Sequence, residues 1–204
     1  MKQRVLIEYI NAVKNIFNGY RVKLNKFNLE KKIKSSFKNF GFKNNISKIL
    51  YSLKYISSFK DTAVYVGCIG MGNLGDEIIY DATRSMLKQN LFIYPLLYKN
   101  SFNLLFSITL KIRKPKFIIL GGGTIIRKKA SESYLRRLLI LKNKFPKAKS
   151  IIVGPGVANT DFSKEIGFPT DIVNWSHYLK GCKFISVRGP QSVKTLTDWN
   201  INNV

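Results

Sequence analysis

The chain has 204 residues, 45% of them hydrophobic, with 35 Lys and Arg against 11 Asp and Glu and a formal charge of +24. That size supports one good core with an appendage, and the charge points to anionic partners: a membrane surface, nucleic acid or a phosphorylated substrate. No run approaches the ~18 apolar residues that a bilayer span requires, and Cys68 and Cys182 make neither a disulfide framework nor a metal-site spacing.

The first 60 residues differ from the rest. They hold fourteen Lys and Arg against only Glu8 and Glu30. Leu6, Ile10, Val13 and Phe17 share one helical face, as do Leu29, Ile33, Phe37 and Phe40, and then Ile46, Ile49, Leu50, Leu53 and Ile56. Lysines such as Lys14, Lys31, Lys38 and Lys54 occupy the other faces. Two readings stand: helices lying in an anionic membrane interface, or helices packed on the protein's own core with a solvated basic side. Residues 1–60 are therefore set apart as a basic amphipathic extension, and residues 61–204 as the main domain. Glu8 and Asn11 interrupt the N-terminus and no small-residue cleavage site follows, so a cytoplasmic location is expected, peripheral at the inner face of the plasma membrane if the extension docks there.

From Thr62 the period changes. Apolar runs predict strands over Thr62–Val66, Phe92–Tyr98, Lys116–Leu120, Ser150–Val153 and Lys183–Val187. Helices are predicted over Leu74–Gln89, with Leu74, Ile78, Ile79, Ala82, Met86 and Leu87 inward, and over Asn103–Ile112. Three more follow: Ser131–Phe145 with Leu135, Leu138, Leu139 and Leu141 inward, one within Asp171–Leu179, and Gln191–Trp199. Alternating strands and helices, with near-continuous Ile, Val and Phe in the strands, indicate an α/β fold: a Rossmann-like parallel sheet with helices on both faces. Asn200–Val204 reads as the lead-in to a further strand, so a fragment or shortened product is expected.

Three of the strands end in glycine turns: Gly67 to Gly75, Gly121-Gly122-Gly123-Thr124, and Gly154-Pro155-Gly156. Such turns gather at the carboxyl ends of parallel strands, where ligands bind. Gly70-Met71-Gly72-Asn73-Leu74-Gly75 matches a dinucleotide fingerprint. Two features oppose that reading. Asp76 and Glu77 would repel a pyrophosphate at the helix N-terminus, and no Asp or Glu lies between Asp81 and Glu132 to hold a ribose.

Four motifs in order carry a more specific resemblance: Gly70-x-Gly72-Asn73-Leu74-Gly75-Asp76-Glu77, Leu120-Gly121-Gly122-Gly123-Thr124, Gly154-Pro155-Gly156, and Ser186-Val187-Arg188-Gly189-Pro190-Gln191-Ser192 with Leu196. From Thr62 onward the chain resembles the polysaccharide pyruvyl transferase family. The resemblance implies one half of a glycosyltransferase-B-like arrangement, with the active site between two Rossmann-like domains. It also implies phosphoenolpyruvate as donor, a saccharide acceptor of a surface polysaccharide or its lipid-linked precursor, a cyclic ketal as product, and no cofactor or metal. The second domain, where such families carry an Arg-x-His-type segment, is not found in these residues.

The candidate substrate-binding residues are Gly70, Gly72, Asn73, Gly122, Gly123, Thr124, Gly154, Gly156 and Arg188. Arg188 is the leading candidate for an anion, because a planar guanidinium holds a carboxylate or phosphate bidentately. Asn73 and Thr124 supply hydrogen bonds to a hydroxyl or phosphate. Asp76 and Glu77 read as stabilisers of the helix start that brace the glycine loop, with catalytic carboxylates as the alternative. Ser192 reads as a helix cap, or as an anion contact at the helix N-terminus. His177, the single histidine, falls on a helix surface, and no general acid or base is assigned. The competing functions are a nucleotide-sugar glycosyltransferase, a non-catalytic basic binding fragment, and a nucleic-acid binder. Against the last, the aromatic residues sit in strand-like runs and form no reader motif.

Overall fold

The computed structural model describes residues 45–69, 74–96, 104–127, 134–167 and 169–204. The first two amphipathic segments of the N-terminal region, and Gly70, Gly72 and Asn73, lie outside them. In chain order the elements are α1 (Asn45–Ser57), β1 (Asp61–Val66), α2 (Leu74–Leu87), β2 (Leu91–Leu96), α3 (Leu104–Ile112), β3 (Phe117–Gly121) and β4 (Thr124–Ile126). There follow α4 (Tyr134–Lys144), β5 (Lys149–Val153), β6 (Gly156–Val157), α5 (Thr160–Glu165), α6 (Ile172–Lys180), β7 (Phe184–Ser186) and α7 (Pro190–Asp198). No helix among the described residues is long and apolar enough to cross a membrane.

Five strands form one parallel sheet in the order β2-β1-β3-β5-β7, and β4 pairs with β6 in a separate parallel ribbon. The central strands β1 and β3 are almost wholly buried because both sheet faces are covered there, which is why they read as unbroken apolar runs, whereas β5 and the edge strand β7 are only partly buried. On one face Val64, Val66, Ile118, Leu120 and Ile152 meet Tyr55 of α1, Phe106 and Leu110 of α3, Leu135, Leu138 and Leu141 of α4, and Trp175 of α6. On the other, Ala63, Tyr65, Ile93 and Ile119 meet Tyr80 of α2. The expected α/β fold class is present.

Two helices bury a different face from the one their aliphatic residues predict. In α2 the buried residues are Asp76, Tyr80 and Thr83, while Leu74 is 72% and Met86 81% exposed. The Tyr80 ring lies edge-on to Tyr65 at 4.9 Å. The edge-on pair over the sheet adds ~0.5–1.5 kcal/mol to the burial of the Tyr80 ring. In α1, Ser52 and Tyr55 are fully buried and Leu50 is 53% exposed. There Ser52 Oγ bonds Tyr94 OH at 2.9 Å and the Tyr55 ring meets those of Phe92 and Tyr94. The third amphipathic segment of the N-terminal region therefore packs on the sheet. Tyr51 OH donates to the Ile93 carbonyl on β2, a strand at the sheet's edge.

α4 buries Leu135, Leu138 and Leu141 as predicted and leaves Arg136 and Lys144 exposed, while Leu139, Arg137 and Lys142 are half-buried. Lys142 Nζ donates to the Pro146 and Ala148 carbonyls at 3.0 and 2.6 Å, joining the helix end to the entry of β5. Asn200–Val204 forms no strand, and Ile201 is buried against the core.

Candidate functional site

The sheet reverses its direction of growth at β1: β2 was added on one side and β3 on the other. This switch point opens a crevice beyond the strand ends, where α/β folds place ligands. The first two glycine turns flank it. A Cβ built at Gly67 would fall 2.5 Å from the Gly121 carbonyl oxygen, so the two turns are in direct backbone contact.

Asp76, in the first turn of α2, lies beneath the triple glycine and is 5% exposed. Gly123 has φ +37°, and a Cβ there would lie 2.7 Å from Asp76 Oδ1. Gly122 is buried beside it, its Cβ position 3.3 Å from the same oxygen. The carboxylate thus occupies the room that side chains at these positions would need. Glu77 is half-buried next to it.

Towards β5 and β7 the remaining candidates form one mesh. Gly156 N–H donates to the Gly123 carbonyl at 2.7 Å, Gly154 N–H to Ser186 at 2.8 Å, and Arg188 N–H to Pro155 at 2.9 Å. Arg188 Nη2 then reaches Thr124 Oγ1 at 3.4 Å, and both side chains are exposed. The space beside Gly156 is filled by Thr124, whose Oγ1 would be 2.9 Å from a Cβ there, whereas Gly154, at φ +66°, has open space beside it. Five of the predicted residues (Gly123, Thr124, Gly154, Gly156 and Arg188) therefore share one network, with Gly122 adjoining. Chemically it offers a guanidinium and a hydroxyl side by side on a rigid glycine-lined edge.

Other expectations fare differently. Ser192 neither caps α7, whose N-cap is Gly189, nor faces outward: its Oγ accepts the Val157 N–H at 3.1 Å and ties α7 to β6. His177 is exposed in the last turn of α6, away from the strand ends. The β4–β6 ribbon, which carries Thr124 and Gly156, was not predicted; the β-branched Thr124-Ile125-Ile126 is its only signal in the sequence.

Three residues not singled out as candidates also belong to this edge. Cys68, in the first glycine turn, is half-buried; burial pushes its thiol up, a hydrogen bond from Tyr134 works against that, and the Asp76 charge adds to the rise. Tyr134 is itself raised, chiefly by burial and by its bond to Cys68. Tyr65 lies under the turns, with its hydroxyl 2.5 Å from a Gly121 Cβ position and without a hydrogen-bond partner. Among the described residues no three His, Cys, Asp or Glu side chains gather as a metal site would need.

A parallel sheet covered by helices, with paired glycine turns at its switch point and an arginine at a strand end, defines a domain of the Rossmann-like class. Residues 73–204 match the polysaccharide pyruvyl transferase family, and the chain belongs to that family, one of transferases. No curated protein and no solved structure matches the chain.

Proposed function

We propose that this protein takes part in transferring the pyruvyl group of phosphoenolpyruvate to two hydroxyls of a saccharide, forming a ketal on a surface polysaccharide or its lipid-linked precursor. In that reaction C3 of the enol gains a proton, C2 gains two bonds to saccharide oxygens, and its bond to the phosphate oxygen breaks. One hydroxyl proton balances the proton gained at C3, and the other leaves with phosphate. The donor carries a carboxylate and a phosphate, and both need cationic, hydrogen-bonding partners. Arg188 supplies the cation, Thr124 the adjoining hydroxyl, and the glycine turns close backbone approach. Asn73, Gly70 and Gly72 complete the binding set in this reading, and the acid and base stay unassigned.

The observation that carries it is the convergence of the second, third and fourth family motifs on one edge, where Gly156 N–H donates to the Gly123 carbonyl, Arg188 N–H to the Pro155 carbonyl and the Arg188 guanidinium to Thr124 Oγ1. Titration calorimetry with phosphoenolpyruvate tests it. Arg188→Ala removes a charge-assisted bond and is expected to weaken donor binding about tenfold or more, with little change in melting temperature because the side chain is exposed. Unchanged donor affinity in a folded Arg188→Ala protein removes Arg188 from the site. Binding of a sugar nucleotide in place of phosphoenolpyruvate assigns the edge to glycosyl transfer.

A further inference from the structure

Every strand of the main sheet is entered through lysine. Lys60 precedes β1, Lys88 lies in the turn before β2, Lys116 precedes β3, Lys149 opens β5 and Lys183 precedes β7, and all five are exposed. Because the strands are parallel, these lysines share the edge opposite the glycine turns. Hydrogen bonds hold the strand entries side by side. Lys149 N–H donates to the Lys116 carbonyl and Lys183 N–H to the Ser150 carbonyl, each at 2.8 Å, and Lys60 Nζ donates to the Lys88 carbonyl. With neighbouring strands ~4.8 Å apart, the row from β2 to β7 runs about 20 Å. Among the described residues the only carboxylate on a strand entry is Asp61, engaged by Lys116 at 2.6 Å.

Lysines in the last turns of helices have a local reason, since they favour the carbonyl end. Lysines on adjacent strand entries have the opposite: like charges side by side repel, well within a screening length of ~8–10 Å. A polyanion laid along this edge would relieve that repulsion.

The surroundings favour lipid over nucleic acid. Phe59, beside Lys60, is 93% exposed, and Phe184, beside Lys183, is 55% exposed. Exposed aromatics among lysines suit the boundary between headgroups and acyl chains. Arg113 is the only arginine on a strand entry among the described residues. Its guanidinium donates to the Ile56 and Lys60 carbonyls at 2.8 and 2.7 Å, and so is committed to the fold. Lys60 and Lys116 are engaged locally by the Lys88 carbonyl and by Asp61, and the charges of the row are lysine ammoniums, without the guanidinium forks suited to phosphodiester and base recognition.

We propose that the strand-entry edge is a docking face for an anionic bilayer, with Phe59 and Phe184 entering the headgroup boundary and the glycine-turn edge directed away from the lipid.

The test uses the full chain and sedimentation with vesicles of phosphatidylcholine, with and without phosphatidylglycerol. One variant is Lys88→Gln/Lys147→Gln/Lys149→Gln/Lys183→Gln, Lys147 being exposed on the same edge in the turn before β5. Its control, with the same change in charge, is Lys31→Gln/Lys32→Gln/Lys34→Gln/Lys38→Gln, and circular dichroism checks both folds. Each lysine near the surface contributes about fivefold to partitioning. The edge variant is therefore expected to lose on the order of a hundredfold or more on anionic vesicles, the control far less, and Phe59→Ala severalfold. Undiminished binding by a folded edge variant overturns the proposal. Equal losses in both quadruple variants also overturn it, by showing that the strand-entry edge has no privileged part in binding. Binding to a short DNA duplex that exceeds vesicle binding and depends on the edge lysines assigns the face to nucleic acid instead.

Discussion

Gly123→Ala, read together with Asp76→Ala, measures how tightly the triple glycine is built onto the start of α2. At φ +37° an L-residue adopts left-handed backbone, which costs about 1–2 kcal/mol. The new Cβ would also lie 2.7 Å from Asp76 Oδ1 and 3.3 Å from Cγ, so a carboxylate that is 5% exposed has to move. Forcing that movement adds a further ~1–2 kcal/mol of overpacking. Together Gly123→Ala should cost about 2–4 kcal/mol in the native background. In the Asp76→Ala background the collision is gone and only the backbone cost of about 1–2 kcal/mol remains. Urea denaturation followed by tryptophan fluorescence reads this well, since Trp175 and Trp199 are both buried. The four proteins of the cycle should show a coupling of at least ~1 kcal/mol, beyond the ~0.3–0.5 kcal/mol within which independent sites add. Simple additivity would refute the contact, and a cost below ~0.5 kcal/mol for Gly123→Ala alone would refute the backbone argument as well.

The Tyr65 hydroxyl is buried with no hydrogen-bond partner, so Tyr65→Phe should stabilise the fold by about 1 kcal/mol and raise the melting temperature by about 2–4 °C; a drop in stability would mean the hydroxyl has a partner. Burial pushes the Cys182 thiol from its ordinary 9.0 up to about 12. Between those values the unfolded chain releases a proton that the folded chain keeps, so stability falls as pH rises through that window, by about 1 kcal/mol at pH 10. Denaturation at pH 8 and pH 10 should show a smaller decline in Cys182→Ala than in the native chain, and equal declines would remove the thiol as the source.

The sheet was legible in the sequence because the strands are β-branched or aromatic runs, three of them closed by glycine turns, and the strand limits agree to within a residue or two. The inward faces of α1 and α2 were less so. Counting aliphatics favoured Leu50, Leu74 and Met86, whereas the structure buries Tyr55 and Tyr80, whose rings find partners on strands distant in the chain. The glycine turns were recognisable as a site, but their mutual arrangement was not. Arg188 and Thr124 are 64 positions apart, and the ribbon that brings them together consists of a three-residue and a two-residue strand. Elements this short leave no periodic trace. Ser192 shows the same limit: a serine near a helix start suggests a cap, and only the tertiary fold turns its hydroxyl to Val157.

The β4–β6 ribbon has a consequence for the kinetics of recognition. It fastens the turn after β3 to the turn after β5, and the Arg188 backbone is fastened in turn to Pro155. Loops that are ordered only by their ligand charge that ordering against affinity, at roughly 1–2 kcal/mol for each residue immobilised. Here the ordering is completed when the chain folds, so a ligand of this part of the edge meets a fixed template. Association should then follow a single concentration-dependent phase, with no slow isomerisation after encounter, and affinity differences among ligands should reside in their rates of departure.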